Sequence, residues 1–174
     1  LMPLIEKEFF GFEDDDGNEE AVVANQLTKL GYTLAIAESC TGGKIAQLFT
    51  AKAGASQYLK GGVVTYSTES KINVLGISKD LIDINSVVSA PVAEAMAIKV
   101  MDLFKSDFAV ATTGNAGPTK GDTDEEVGTV YIAIATKSGV YSKKFSFGNH
   151  RSKVINKAVN KALEMLQKEI FKNR

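Results

Sequence analysis

One cysteine and one histidine stand in this chain of 174 residues. Cys40 alone excludes an internal disulfide framework and a cysteine-rich zinc module. His150 alone excludes a metal cage built from histidines. An excess of charge of one sign is also missing. Twenty Lys and Arg against 21 Asp and Glu leave a formal charge of −1, so no overall basic field draws nucleic acid. No apolar run approaches the ~20 residues that a bilayer-spanning helix needs; the longest candidates are broken by Gly, Ser or charge. No basic segment followed by an apolar one opens the chain, so no secretory signal is read. The expected compartment is the cytoplasm, with neither membrane nor nucleic acid as a partner. The start at Leu1, with Met2 next, fits a fragment whose partner domain lies upstream.

What is present is ordinary for a globular chain: 44% hydrophobic and 24% charged residues, which excludes wholesale disorder. The length suits a single domain, since domains usually run about 100–200 residues. Residues 1–18 read as a linker or N-terminal extension and 19–174 as the domain. Within the extension, Leu4, Ile5, Phe9 and Phe10 lead into the run Asp14-Asp15-Asp16-Gly17. Consecutive carboxylates cannot all face one ion, and they lack the spacing of a calcium loop, so the run reads as a solvated turn.

Apolar periodicity then marks the elements. Val22, Val23, Leu27 and Leu30 space a helix over Glu19–Leu30, ended by Gly31. Strands are expected at Tyr32–Ala37, Gly61–Tyr66, Phe108–Thr112 and Val127–Ala135, with Val140–Phe147 returning after the turn Lys137-Ser138-Gly139. Further helices are expected at Lys44–Thr50 and Glu69–Leu75, from an N-cap at Ser89 to about Phe104, and from Arg151 to about Phe171. Strands alternating with helices predict an α/β fold: three layers, α/β/α, around a mixed, mostly parallel sheet. The apolar helices exceed what one small sheet covers, so a homo-oligomer is expected.

Ligands in such sheets bind beyond the carboxyl ends of strands, and three loops compete there. Glu38-Ser39-Cys40-Thr41-Gly42-Gly43 ends a strand and opens a helix, where free backbone N–H groups can hold an anion or a developing oxyanion. Ser39 or Thr41 reads equally as a helix cap. Cys40 is either a nucleophile activated by the helix start or a small buried thiol. In the second loop, Tyr66 and Lys71 straddle a strand-to-helix junction. Lys71 is either a surface lysine or an amine whose pKa is lowered so that it can take a proton. The third loop, Thr113-Gly114-Asn115-Ala116-Gly117-Pro118, suits a phosphate or base contact, or is a plain turn. Arg151 offers a fixed cation, and His150 reads as a surface residue.

Taken together, Ala37-Glu38-Ser39-Cys40-Thr41-Gly42-Gly43, Gly61-Gly62-Val63-Val64-Thr65-Tyr66-Ser67, Lys71, the Thr113–Pro118 loop, Val127–Ala133 and Phe147-Gly148 with Arg151 resemble the CinA C-terminal domain family. The likeness runs from about Gly17 to the C-terminus. It implies nicotinamide mononucleotide deamidase activity and an upstream domain similar to molybdopterin-binding domains. No metal or cofactor is expected, because the chain offers no convincing ligand cluster. Asn115 stands where many members carry an apolar residue, and Thr119–Glu126 is acidic where a glycine-rich stretch is common. The roles that follow are Ser39 as nucleophile, Lys71 as base and Tyr66 orienting it. N–H groups around Thr41, Gly42 and Gly43, beside Cys40, are expected to hold the oxyanion. Thr113, Gly114, Asn115, Gly117 and Arg151 are expected to hold ribose and phosphate. The alternatives are a non-catalytic nucleotide-binding or regulatory domain and a metal-dependent phosphate esterase.

Overall fold

The computed structural model describes residues 18–174. The acidic run Asp14–Asp16 and the rest of the expected N-terminal extension up to residue 17 lie outside the described residues. The elements run α1 (Glu19–Leu30), β1 (Leu34–Glu38), α2 (Lys44–Thr50), a 3-10 turn (Ala55–Gln57), β2 (Leu59–Val64), α3 (Thr68–Asn73) and α4 (Lys79–Asn85), followed by α5 (Ala90–Phe104), β3 (Phe108–Gly114), β4 (Thr129–Thr136), β5 (Gly139–Ser146) and α6 (Arg151–Lys172). The sheet order is β2-β1-β3-β4-β5. Strand β1 lies parallel to both β2 and β3, while β3–β4 and β4–β5 are antiparallel. Only β4 therefore runs against the rest, and the sheet is mixed but mostly parallel in strand direction.

Period-two alternation along the strands sorts the core into two layers. Leu34 and Ile36, Phe108 and Val110, and Val130, Ile132 and Ile134 face one side, with Val23 and Leu27 of α1, Ile45 and Phe49 of α2, and the apolar stripe of α6. Ala35, Ala37, Ala109, Ala111, Ala133 and Ala135 face the other, under Val92, Ala93, Met96, Ala97 and Val100 of α5. These alanines are in register: Ala35 opposes Ala109, Ala109 opposes Ala135, and Ala111 opposes both Ala37 and Ala133. A floor of methyl groups lets the helix approach the sheet closely and exclude water without large side chains.

Local chemistry sets the element ends. Gly31 closes α1 in the left-handed conformation, φ 70°. Ser89 caps α5, its hydroxyl accepting from Val92 N–H at 3.4 Å, with proline in the first turn. Residues 77–85 carry no element in the reading from sequence, yet α4 forms there, capped by Ser78. β1 begins at Leu34 rather than Tyr32, whose ring packs edge-on against Phe108 and whose hydroxyl donates to Asn173 O at 2.7 Å.

A close backbone contact joins the loop before β4 to the loop after β5. Gly128, at φ 92°, sits so near Gly148 that a Cβ would stand 1.8 Å from its carbonyl oxygen. Alanine at 128 combines a left-handed conformation with overlap against backbone, so Gly128→Ala is expected to destabilise the domain by about 3–5 kcal/mol. Thermal unfolding checks this: Tm should fall by roughly 10 °C, and a change under about 2 °C would contradict the steric account.

The chain leaves β1 outward to β2 through α2, then crosses by α3, α4 and α5 to β3 on the other side of β1. This reversal places the carboxyl ends of β1, β2 and β3 around one crevice, where their loops meet.

Candidate active site

A cavity of about 570 Å³ opens at that crevice, with Ser39, Lys71, Val87, Asn115 and Arg151 on its wall. Its size falls within the range usual for small-molecule sites, about 300–1,000 Å³. At its base Lys71 Nζ lies 2.9 Å from Ser39 Oγ. Lys71 is 1% exposed although it belongs to a helix of only 6 residues whose other residues are exposed or half-buried. Ser67 starts that helix, its hydroxyl accepting from Ser70 N–H at 3.0 Å, and so aims the fourth helical side chain inward.

Burial lowers the Lys71 amine from the ordinary lysine range to about 8, because a cation loses hydration there. The contacts of Nζ fit the neutral form. Two carbonyl oxygens accept from it, Thr65 O at 2.7 Å and Tyr66 O at 3.4 Å. A neutral amine has two hydrogens and one lone pair. With the hydrogens on the two carbonyls, the lone pair is left for the Ser39 hydroxyl, which then donates to nitrogen. This is the geometry of a nucleophile with its general base.

Ser39 is not the cap of α2. The residue at that position is Gly43, which offers no side chain, and the free N–H groups are taken by Glu38. Its carboxyl oxygens accept from Ile45 N–H at 2.9 Å and Ala46 N–H at 3.1 Å. Thr41 does not cap either: its hydroxyl pairs with Thr112 Oγ1 at 2.8 Å, and Thr112 also accepts weakly from Ser39 N–H at 3.4 Å. Sequence reasoning missed both Glu38 and Thr112. A carboxylate ending a wholly apolar strand was the available signal for Glu38.

The structure corrects several expectations. The ring of Tyr66 does not meet Lys71. It is 59% exposed, and its hydroxyl accepts from Arg151 Nη2 at 3.0 Å, so the amine is oriented by the Tyr66 main chain instead. Thr41, Gly42 and Gly43 do not line the cavity, and Gly42 N–H is committed to Ser39 O at 3.0 Å. Gly117 is also off the wall, its carbonyl accepting from Arg151 Nη1 at 2.6 Å. Burial pushes the Cys40 thiol up to about 12, so it stays protonated at neutral pH and is no thiolate nucleophile.

Thr113, Gly114 and Asn115 do line the cavity, but each also holds the fold. Thr113 donates to Val87 O at 2.9 Å, and Asn115 Nδ2 to Glu125 O at 3.3 Å. A Cβ on Gly114 would stand 2.8 Å from Val130 Cγ2 and 3.0 Å from Cys40 Sγ. Among the described residues, no three His, Cys, Asp or Glu side chains converge as a metal would require, and no helix is long and apolar enough to cross a membrane.

Fold and site define a class: a three-layer α/β domain with a buried serine–lysine pair beyond the ends of parallel strands. A family model, the CinA C-terminal domain, matches residues 17–170, and the chain belongs to this family. It is similar to a CinA-like protein of Flavobacterium psychrophilum, 55% identical over 173 residues, covering 99% of this chain and 41% of that protein. A CinA-like protein of Shewanella piezotolerans is 47% identical over 163 residues, covering 87% of this chain and 38% of that protein. The chain thus spans about two fifths of the length of these relatives. Among solved structures, the competence damage-inducible protein A (ComA) of Klebsiella pneumoniae superposes with a TM-score of 0.85 at 33% identity, covering 90% of this chain and 98% of that one. The competence/damage inducible protein CihA of Agrobacterium tumefaciens gives 0.82 at 34% identity, covering 88% and 94%.

Proposed function

We propose that the domain hydrolyses the carboxamide of nicotinamide mononucleotide, giving nicotinate mononucleotide and ammonia. The observation that carries this reading is the buried approach of Lys71 Nζ to Ser39 Oγ at 2.9 Å. Ser39 Oγ attacks the carboxamide carbon while its proton passes to Lys71. The tetrahedral adduct collapses as Lys71 returns that proton to the departing nitrogen, which leaves as ammonia. Water then attacks the acyl-serine, Lys71 taking its proton and giving it back to Ser39 Oγ, and the carboxylic acid is released. The oxyanion falls to the main-chain N–H of Cys40, which stands beside Ser39 on the cavity wall.

Lys71 and Arg151 are the cationic side chains on the cavity wall among the described residues. A neutral Lys71 leaves Arg151 to hold the phosphate, and the guanidinium fork suits phosphate oxygens. Calorimetry with nicotinamide mononucleotide beside an ammonia assay tests the reading. Binding with one ammonia released per substrate is expected. Binding without release would overturn the amidase and favour a non-catalytic nucleotide-binding module.

A pH profile gives an independent check. Lys71 must be neutral to accept the proton, and its amine is lowered to about 8. Below that value the base is protonated, so kcat/KM should rise about tenfold per pH unit and level off above it. The phosphate of the substrate titrates near pH ~6 and so leaves the upper part of this limb unaffected. A profile flat between about pH 6.5 and 9 would remove Lys71 as the base.

A further inference from the structure

We infer that Glu38 is a positioning residue: by capping α2 from the end of β1, it keeps the Ser39 hydroxyl free to face Lys71. The inference rests on the amidase reading only for its kinetic consequence. Glu38 is 1% exposed, and no step of the proposed reaction uses it. Burying a carboxyl group is unfavourable unless its oxygens are satisfied. Here both are, by the N–H groups of Ile45 and Ala46.

Those amides belong to the first turn of α2, where a nearby hydroxyl usually turns in as a cap. The turn between β1 and α2 holds two hydroxyls that could do so. Thr41 is held by Thr112 at 2.8 Å. Ser39 is left with Lys71 as its side-chain partner, since the acceptor that the helix start needs is already supplied.

The same contacts fix the loop as a closed ring. The carboxyl at position 38 grips the amides at 45 and 46, so the residues between cannot swing outward without breaking both bonds. The main chain of Glu38 reaches the other partner as well. Its carbonyl accepts from Thr65 N–H at 2.9 Å, and Thr65 O accepts from Lys71 Nζ at 2.7 Å. One residue thus sets the nucleophile by its side chain and the support of the base by its backbone.

Crystal structures and kinetics of Glu38→Gln and Glu38→Ala test this. Glutamine keeps one acceptor and turns its amide hydrogens against a second donor, whereas alanine removes both acceptors. In the alanine variant Ser39 Oγ should leave Lys71 Nζ by more than about 3.5 Å, the limit of a hydrogen bond. A contact that persists near its present length overturns the positioning role, whether or not the domain turns over substrate. For ammonia release, kcat should fall about 10-fold in the glutamine variant and about 100-fold in the alanine variant, with KM held within about 3-fold. If alanine prevents folding, the glutamine variant decides. An unchanged kcat, or a loss that follows the unfolded fraction in a thermal melt, overturns the inference. If the wild type releases no ammonia, the amidase reading falls, and the crystallographic comparison alone then decides the role of Glu38.

Discussion

Alanine at position 39 is expected to lower kcat for ammonia release by about 10⁴-fold. The hydroxyl removed is the atom that bonds to the substrate in the proposed reaction, and the thiol beside it cannot take over. Cys40 stays protonated because burial pushes its pKa up to about 12. The fold should hardly notice the change. Capping of α2 rests on Glu38, and Lys71 keeps Thr65 O and Tyr66 O as acceptors. Loss of one hydrogen bond is worth about 1 kcal/mol, so Tm should move by only roughly 2–4 °C. Nicotinamide mononucleotide should still bind, with heat measurable by calorimetry. Turnover within about 10-fold of wild type would rule out Ser39 as the nucleophile.

Lys71→Met is expected to lower kcat by about 10³-fold, because it keeps most of the side chain's length and removes the proposed base. Two effects on stability oppose one another. Methionine leaves Thr65 O and Tyr66 O without their donor, but it also relieves the burial of an ionisable amine. The residual activity should no longer change through pH ~8, since the group that titrates there has gone. Lys71→Arg separates charge from basicity. Arginine stays protonated at all usable pH values and cannot accept the serine proton. It should therefore be as inactive as methionine. Activity retained with arginine would mean that the site needs a cation and not a base.

Much of this architecture is legible in the sequence where one local signal suffices. The stripe of α6 over Val154, Ala158, Val159, Leu163 and Leu166, the glycine that stops α1 and the serine that starts α5 each carry their own rule. The short helix α4 falls below the length at which periodicity speaks, and Ser78 was its only clear mark. Lys71 is readable as a candidate because it follows a strand-to-helix junction five residues after Tyr66. The direction of Tyr66 was not. Nearness in sequence brings its carbonyl to the amine, while the end of β2 sends the ring outward to Arg151. Glu38 was hidden for a related reason. A carboxylate at the end of an apolar strand is a local mark, but which amides it caps across the turn depends on how chain segments meet and is not written in that mark. The oxyanion expectation erred at Gly42 because a tight turn uses its own N–H groups to close.

The methyl floor beneath α5 reaches to the start of that helix. Ser89 caps α5 and follows directly on Val87 and Val88, which stand in the wall of the crevice. Thr113, at the end of β3, ties that wall to the sheet through Val87 O at 2.9 Å. The alanines therefore act as spacers of fixed thickness. By setting how high α5 rides, they gauge the width of the crevice from a distance, so residues outside its wall share in deciding what fits.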